Sequence, residues 1–309
     1  MRIVFFGTPD FAVPSLRALM TGPDDVVGVV CQPDKPAGRG QRLTAPPVKQ
    51  AATDMGIPVL QPAKIRTTEF LEQLRVWKPD LIVVAAYGRI LPNGILELPP
   101  HGCINVHASL LPKYRGAAPM QWAILNGDPR TGVTIMRVEE RMDAGDMLLV
   151  RETPIRYDDT LASLHDRLAE LGAAALIEAI ELLRRGELEG TPQDEAQVTY
   201  APMISKEQGR IDWTQPAVAI ERQVRAFHPW PSAYTFLDGR VVKIHRAKAV
   251  AGRHFNTPAG TIVAIGDTIG VACGEGDLMI ADLQLEGRKR LSAAEFSRGN
   301  HVAVGTVLA

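Results

Sequence analysis

Three polar side chains have types and spacing that could do chemistry together. Asn105 and His107 lie two apart at the end of the apolar run that starts at Cys103, and Asp143 follows thirty-six residues after His107. A strand presents alternate side chains on one face, so 105 and 107 can point the same way. The carboxamide can donate, and the imidazole can donate or accept at each ring nitrogen. A carboxylate folded back beside them would fix the imidazole tautomer and favour its charged form. This set suits transfer of an acyl-type group to an amine. The amide would face the developing oxyanion, the imidazole would handle protons, and the carboxylate would hold the imidazole. No GxSxG nucleophile elbow occurs, so direct attack by a bound amine fits better than a covalent enzyme intermediate. The alternative is a structural histidine, which leaves two polar groups on a buried strand needing partners for no chemical reason.

The surrounding elements must place that strand. Arg2–Phe6 reads as a buried strand ended by Gly7-Thr8-Pro9, with Asp10 as N-cap of a helix through Met20. Val26–Cys31 reads as the next strand. Strand, helix and strand within thirty residues predict a parallel sheet. After the first strand comes GTPDF, with one glycine where a dinucleotide fingerprint wants three, so a nicotinamide cofactor loses its main support. Helices are expected at 48–55, 67–76, 117–125 and 160–185, and strands at 57–60, 80–85, 131–137 and 147–151. The stripe Leu161, Leu164, Leu168, Leu171, Ala175 and Leu182 should bury one face of the long helix, which Gly172 could bend. In an open α/β sheet, ligands gather at the carboxyl ends of strands. The segment Ala86-Tyr87-Gly88-Arg89-Ile90-Leu91 follows such a strand. Its glycine permits close approach by a flat ligand, and Ile90 and Leu91 could line an apolar slot or belong to the core.

Residues 32–47, QPDKPAGRGQRLTAPP, are too long for an ordinary βα connection and carry Lys35, Arg39 and Arg42. They read either as a clamp on a phosphate backbone or as a solvated surface loop. Residues 186–205 are polar and punctuated by Gly190, Pro192 and Pro202, and read as an interdomain linker. A helix is expected at 211–227 with Trp213 and Phe227 docked. Trp230, in the stiff run His228-Pro229-Trp230-Pro231, reads as packed or, alternatively, as a platform on which a nucleic-acid base stacks. Five short strands between 232 and 285 then suggest a small barrel. Arg240, Lys243, Arg246 and Lys248 form its densest basic cluster. They could contact nucleic-acid phosphates or be the solvated face of a barrel.

Composition sets the outer limits. A chain of 309 residues exceeds the usual size of a single core, so two domains are expected. Apolar residues make up 46% and charged residues 22%, which is ordinary for a globular chain. The net charge of -1 hides a mild asymmetry: the first 204 residues carry 21 basic and 25 acidic side chains, the remainder 13 and 10. The cysteines Cys31, Cys103 and Cys273 are far apart in apolar runs, as buried thiols of a reducing compartment would be. No metal-ligand spacing occurs, so no metal is expected. No signal peptide or apolar run of 18 residues occurs, so a cytoplasmic location off the membrane is expected.

Several segments, long and mutually in register, resemble one family. NVHASLLPKYRGAAP at 105–119, TGVTIM at 131–136 and DAGDML at 143–148 are similar to the folate-dependent formyltransferases. RIVFFGTPDFAVP, QPDKPAGRG, VVAAYGRILP, RIDWTQPA and RAFHPWPSAY look like the branch of that family that acts on charged tRNA. The resemblance covers essentially the whole chain. It implies an α/β fold with an N-terminal Rossmann-like parallel-sheet formyltransferase domain at 1–189, a linker at 190–207 and a C-terminal small β-barrel (OB-like) tRNA-binding domain at 208–309. It implies transfer of a formyl group from 10-formyltetrahydrofolate, as co-substrate and without a metal, to the α-amino group of methionyl initiator tRNA, by a cytoplasmic enzyme of translation initiation acting as a monomer. Asn105, His107 and Asp143 would be the catalytic trio. Ala86, Tyr87, Gly88, Arg89, Ile90, Leu91, Ser109, Leu110, Leu111, Pro112, Glu139, Glu140, Arg141 and Met142 would hold the folate. Lys35, Arg39 and Arg42, with Arg42 as anchor, and Arg240, Lys243, Arg246 and Lys248 would meet the tRNA. Lys113 and Tyr114, between Pro112 and Arg115, would vary in side chain without changing the chemistry. A formyltransferase acting on a small amine, such as an amino-sugar nucleotide or glycinamide ribonucleotide, would share the trio and the folate slot. A tRNA-binding protein without catalysis is opposed by the complete trio.

Overall fold

The computed structural model describes residues 1–37, 42–251, 257–300 and 302–309. In chain order these form β1 (Arg2–Gly7), α1 (Val13–Thr21), β2 (Asp25–Val30), β3 (Lys35–Ala37), β4 (Arg42–Thr44), α2 (Pro47–Asp54), β5 (Val59–Leu60), α3 (Thr68–Val76), β6 (Leu81–Ala85), α4 (Asn93–Leu96), β7 (Cys103–His107), β8 (Arg115–Gly116), α5 (Pro119–Asn126), β9 (Arg130–Arg137), β10 (Met147–Pro154), α6 (Leu161–Arg185), β11 (Tyr200–Ala201), α7 (Ala217–Ala226), β12 (Ala233–Leu237), β13 (Arg240–Val250), β14 (Ile262–Ile265), β15 (Ile269–Ala272), β16 (Asp277–Leu285), β17 (Leu291–Ser292) and α8 (Ala293–Gly299). They divide into two compact units.

The first unit holds Met1–Pro119, Arg130–Pro154 and His165–Pro202. Its seven-stranded sheet has the order β10-β9-β7-β6-β1-β2-β5. The five strands from β7 to β5 are parallel and nearly all apolar, the pattern of strands covered on both faces. β9 and β10 add as an antiparallel edge. Leu164, Leu168, Leu176 and Ala179 bury the inner face of α6, while Leu161, Leu171 and Leu182 of the expected stripe are half-buried. The helix runs unbroken through Gly172. A Cβ there would fall 2.8 Å from Cγ1 of Val106, so the missing side chain lets α6 lie against β7. The expected cap at Asp10 is also corrected. Residues 10–12 form a short 3-10 turn, Asp10 Oδ1 accepts from the neighbouring Phe11 amide, and α1 starts at Val13 with Pro14 in its first turn. Thr67 does cap α3, accepting from the Phe70 amide at 3.2 Å.

Two expected loops carry structure. Lys35–Ala37 pairs with Arg42–Thr44 as an antiparallel hairpin, whose tip, including Arg39, lies outside the described residues. Asp34 anchors its base, accepting from Lys49 and Gln61 at 2.7–2.9 Å. The expected linker 190–207 is divided. Thr191 exchanges backbone hydrogen bonds with Met147, and β11 runs parallel to β8, so 190–202 is knitted into the first unit.

The second unit holds Met120–Pro129, Ile155–Leu164 and Met203–Ala309. Its two segments from the first half were expected in the first domain. Here the Ile155 amide donates to the Pro129 carbonyl at 3.0 Å, and Arg225 of α7 donates to the Asp159 carbonyl at 3.0 Å. The antiparallel sheet has the order β12-β13-β16-β15-β14, with β17 on β16. Residues 306–309 close it: Ile262 and Gly260 bond to Thr306 and Leu308 on one side, and Phe236 bonds to Ala309 on the other. Leu237, Val242, Ile244, Ile262, Ile280, Phe296 and Leu308 fill the interior. The expected helix at 211–227 begins only at Ala217, because Asp212 caps a turn and Pro216 precedes the first helical residue. Trp213 and Phe227 are buried as expected. Trp230 is 49% exposed, so the expectation of a packed indole is not met.

Candidate active site

Strand β7 brings Asn105 and His107 to one face of the first unit's sheet, between β6 and β9. Asn105 pairs with Val84 and Met136, and His107 with Thr134. Asp143 arrives from the other direction. Strand β9 is antiparallel to β7, so the loop after it starts beside Cys103 and must fold back over the sheet to reach His107. The turn needs left-handed backbone at Asp143, with φ +50°. Ala86 (φ +46°) and Tyr114 (φ +64°) share this sparsely populated conformation, and such outliers collect at functional sites.

His107 is buried and both ring nitrogens are addressed. Nε2 lies 3.0 Å from the Tyr114 carbonyl oxygen, and Nδ1 lies 3.8 Å from Oδ1 of Asp143. A carbonyl only accepts, so Nε2 carries a hydrogen and Nδ1 is the nitrogen that gains or loses a proton. The Tyr114 backbone therefore sets the tautomer, a task the sequence reading assigned to Asp143. At 3.8 Å the carboxylate is beyond hydrogen-bond reach, and its other oxygen accepts from the Gly116 amide at 2.8 Å. The Asn105 carboxamide has no protein hydrogen bond among the described residues, though the residue is partly buried. A held imidazole and an uncommitted amide donor thus share a face of β7, with a held carboxylate turned toward the imidazole. Burial pushes the Cys31 thiol up to about 11 and the Cys103 thiol up to about 12. Both remain protonated near neutrality, so neither supplies a thiolate nucleophile.

The expected folate residues divide by exposure. Ala86 is exposed, and so is Gly88, whose φ of +78° strains any side chain and whose missing Cβ would fall 2.8 Å from Nε2 of Gln32. That amide donates to the Tyr87 carbonyl at 2.9 Å. The Tyr87 side chain is 2% exposed and packs edge-on to Phe6, with burial pushing its phenol up to about 12. Leu91 is equally buried, whereas Ile90 is 48% exposed. Ala86, Gly88 and the Ile90 side chain are open to a ligand, whereas Tyr87 and Leu91 belong to the core, which corrects the apolar slot drawn with both Ile90 and Leu91. Arg89 donates to the Pro62 and Ala63 carbonyls at 3.1 Å. Ser109 and Leu111 are buried and knit the turn through Lys113 and Thr134. Leu110 and Pro112 are half-buried, and Glu139, Glu140, Arg141 and Met142 are exposed.

The turn after β7 holds what the sequence reading missed. Tyr114 is buried, its backbone amide donates to Thr199 at 2.9 Å and its backbone carbonyl faces His107, contacts that do not depend on the side chain expected to vary there. Arg115 is 1% exposed. Its Nε donates to Gln193 at 3.0 Å and its Nη2 to Glu195 at 3.1 Å. The Arg115 hydrogen bond, helped by Arg141, holds the Glu195 carboxyl below its ordinary range. The signal was weak, because a polar TPQDE run reads the same whether it is solvated or buried.

The expected tRNA contacts are spread over both units. In the first, Lys35 donates to Gln32 at 2.8 Å and Arg42 is exposed. In the second, Arg246 pairs with Asp282 at 2.8 Å, Arg240 lies 4.0 Å from Glu286, and Lys248 lies 5.7 Å from the Tyr157 ring centroid. Lys243 is exposed without an ion pair among the described residues. Among the described residues no group of three or more metal-ligating side chains occurs and no helix is long and apolar enough to cross a membrane.

This architecture is shared with solved proteins. A sugar 3N-formyl transferase, WlaRD, superposes with a TM-score of 0.67 at 18% identity, covering 94% of this chain and 99% of its own. The methionyl-tRNA formyltransferase of Clostridium thermocellum superposes with a TM-score of 0.59 at 17% identity, covering 82% of this chain and 95% of its own. At such identities the likeness establishes fold alone. In sequence, the methionyl-tRNA formyltransferase of Citrifermentans bemidjiense is 53% identical over 100% of this chain and 96% of its own length. The formyl transferase model matches residues 1–180 and its C-terminal domain residues 203–301. With both domains matched in order and a relative this similar end to end, the chain belongs to the formyl transferase family.

Proposed function

We propose that this chain transfers the formyl group of 10-formyltetrahydrofolate to the α-amino group of methionine on initiator tRNA, with Asn105, His107 and Asp143 performing the chemistry. The observation that carries the mechanism is the unpaired Asn105 carboxamide on the strand face it shares with His107, whose Nδ1 is turned to Asp143. Exposed Ala86, side-chain-free Gly88 and exposed Ile90 suit a flat heteroaromatic ring. So does the exposed 139–142 loop, which completes the folate site in this reading. The folate supplies the formyl carbon, which the neutral methionyl amine attacks directly. Asn105 donates to the oxygen that gathers charge. His107 takes the proton the amine loses onto Nδ1, where the Asp143 carboxylate stabilises the imidazolium, and yields it to the departing nitrogen. Arg42 of the hairpin anchors the acceptor end of the tRNA, and the outward cations of β13 meet its phosphates. The enzyme works as a monomer in the cytoplasm, away from membranes.

The test is formyl transfer to methionine-charged initiator tRNA, with charged elongator tRNA, free methionine and an amino-sugar nucleotide run alongside. Transfer to the initiator alone supports the reading. Transfer to the small amine in preference to any charged tRNA overturns it.

A further inference from the structure

Asp143 is held by a residue fifty positions away. Gln193 is 9% exposed. Its Nε2 donates to the carbonyl oxygens of Asp143 and Gly145, both at 2.8 Å, and its Oε1 accepts from Nε of Arg115 at 3.0 Å. A carboxamide can be built in either of two orientations, but here chemistry admits one. A guanidinium has only donors and a carbonyl has only acceptors, so Arg115 claims the oxygen and the two carbonyls claim the nitrogen. Both amide hydrogens are then used, and both on the turn that carries Asp143. That turn holds a non-glycine residue at φ +50°, which persists only where the surroundings impose it. Glu195, one turn further on, reaches Arg141 of the same loop at 3.4 Å while bound to Arg115.

We infer that Gln193 is a positioning residue for formyl transfer: oriented by Arg115, it clamps the 143–145 turn so that the Asp143 carboxylate stands beside His107 Nδ1. The inference rests on the catalytic role proposed for Asp143. Without the clamp, two carbonyls lose their donor and the turn is free to leave the left-handed region. The carboxylate then loses its place beside the imidazole, and a displacement of about 1 Å is enough to cost about 100-fold in rate.

The experiment measures kcat, KM for each substrate and melting temperature for Gln193→Ala, Gln193→Glu, Asp143→Ala and the Gln193→Ala/Asp143→Ala double variant. Glutamate matches the shape of glutamine and keeps an acceptor for Arg115, but offers no hydrogen to the two carbonyls, so it carries the test even where alanine melts early. Both Gln193 variants should lower kcat by about 10- to 100-fold with each KM within about threefold. In the Asp143→Ala background, Gln193→Ala should cost less than about twofold more, because the group it positions is gone. A Gln193→Glu enzyme that melts with the wild type and turns over at its rate overturns the inference while leaving the trio intact. So do fully additive losses in the double variant. Full turnover by Asp143→Ala is a separate result: it overturns the role of Asp143 and this inference with it.

Discussion

Strands β7 and β13 both interrupt apolar runs with polar groups, and the interruptions carry different information. β7 lies where the parallel strands meet the antiparallel edge, His107 on it is buried, and each nitrogen of that ring therefore needs a partner. β13 belongs to an antiparallel sheet with one wet face. Val242 and Ile244 point inward, Lys243 and Lys248 point out, and a bulge near 244–247 turns Arg246 outward too. A charge on the wet face costs almost nothing, so its presence alone says little. A histidine on the dry strand costs the fold unless partners satisfy it, and here the Tyr114 carbonyl holds one ring nitrogen while the Asp143 carboxylate stands 3.8 Å from the other. The same residue class is thus a strong sign of function in one sheet and a weak one in the other.

The comparison breaks first at the trio. Asn105→Ala and Asp143→Ala should each lower kcat by about 100- to 1000-fold while leaving tRNA affinity within about threefold, since their contacts form chiefly as charge develops. Single-turnover rates beside filter-binding affinities check this. Equal loss of affinity without loss of turnover would make β7 a structural strand.

Packing behind β7 gives the next effect. A methyl at 172 would press on Val106, so Gly172→Ala should cost about 1–3 kcal/mol by overpacking, against about 1 kcal/mol regained in helix propensity. Ala174 is exposed on the same helix. Ala174→Gly should cost about 1 kcal/mol and leave kcat alone. Urea melts with parallel assays separate the two, because only the change at 172 pushes on the strand that carries Asn105 and His107.

How much of this was legible follows from the same contrast. The parallel strands, the helices and the strand bearing Asn105 and His107 are local patterns of period 2 or 3.6, and they stand close to where the sequence placed them. Asp143 was read as the partner of the histidine, although Glu139, Glu140 and Asp146 share its loop and composition alone does not separate them. The Tyr114 carbonyl that sets the tautomer, the Gly116 amide that holds the carboxylate and the Gln193 clamp were not legible. The first two are backbone groups, which every residue has. The third lies in a polar run without periodicity, indistinguishable from a solvated connection until its partners are known. Pairing at long range likewise gave segments 120–129 and 155–164 to the second unit.

Within the second unit, histidines should make stability depend on pH. His228 and His245 meet edge to face at 5.9 Å, and burial, with Arg290 nearby, lowers both below the ordinary range. Between the lowered folded values and the ordinary unfolded ones, the unfolded chain binds more protons. Stability is therefore full above the unfolded value and is lost as pH falls through the folded ones. Thermal melts at pH 7.5 and 5.5 should show a larger drop for the wild type than for His245→Gln. Identical drops would mean that the pair does not differ between folded and unfolded states.

The smallest effect tests the wet face itself. Lys243 is exposed and has no ion pair among the described residues, so Lys243→Ala should change stability by less than about 0.5 kcal/mol. Its consequence should appear in binding: one fewer phosphate neutralised lowers the slope of log affinity against log salt by about 1. Arg246 differs, because Asp282 holds it and also holds Arg290 at 2.7 Å. Burial opposes ionisation of that carboxyl, and the two arginines outweigh it, keeping Asp282 charged. Arg246→Ala thus removes a cation but leaves Asp282 with one partner, so the local charge falls by the same unit as in Lys243→Ala. If phosphate contact is set by net charge on the face, the two variants should reduce the salt slope alike. If it is set by which cation is free to turn toward a phosphate, Lys243→Ala should reduce it and Arg246→Ala should not. A slope unchanged in both would make β13 what its alternation alone suggests, the solvated side of a barrel.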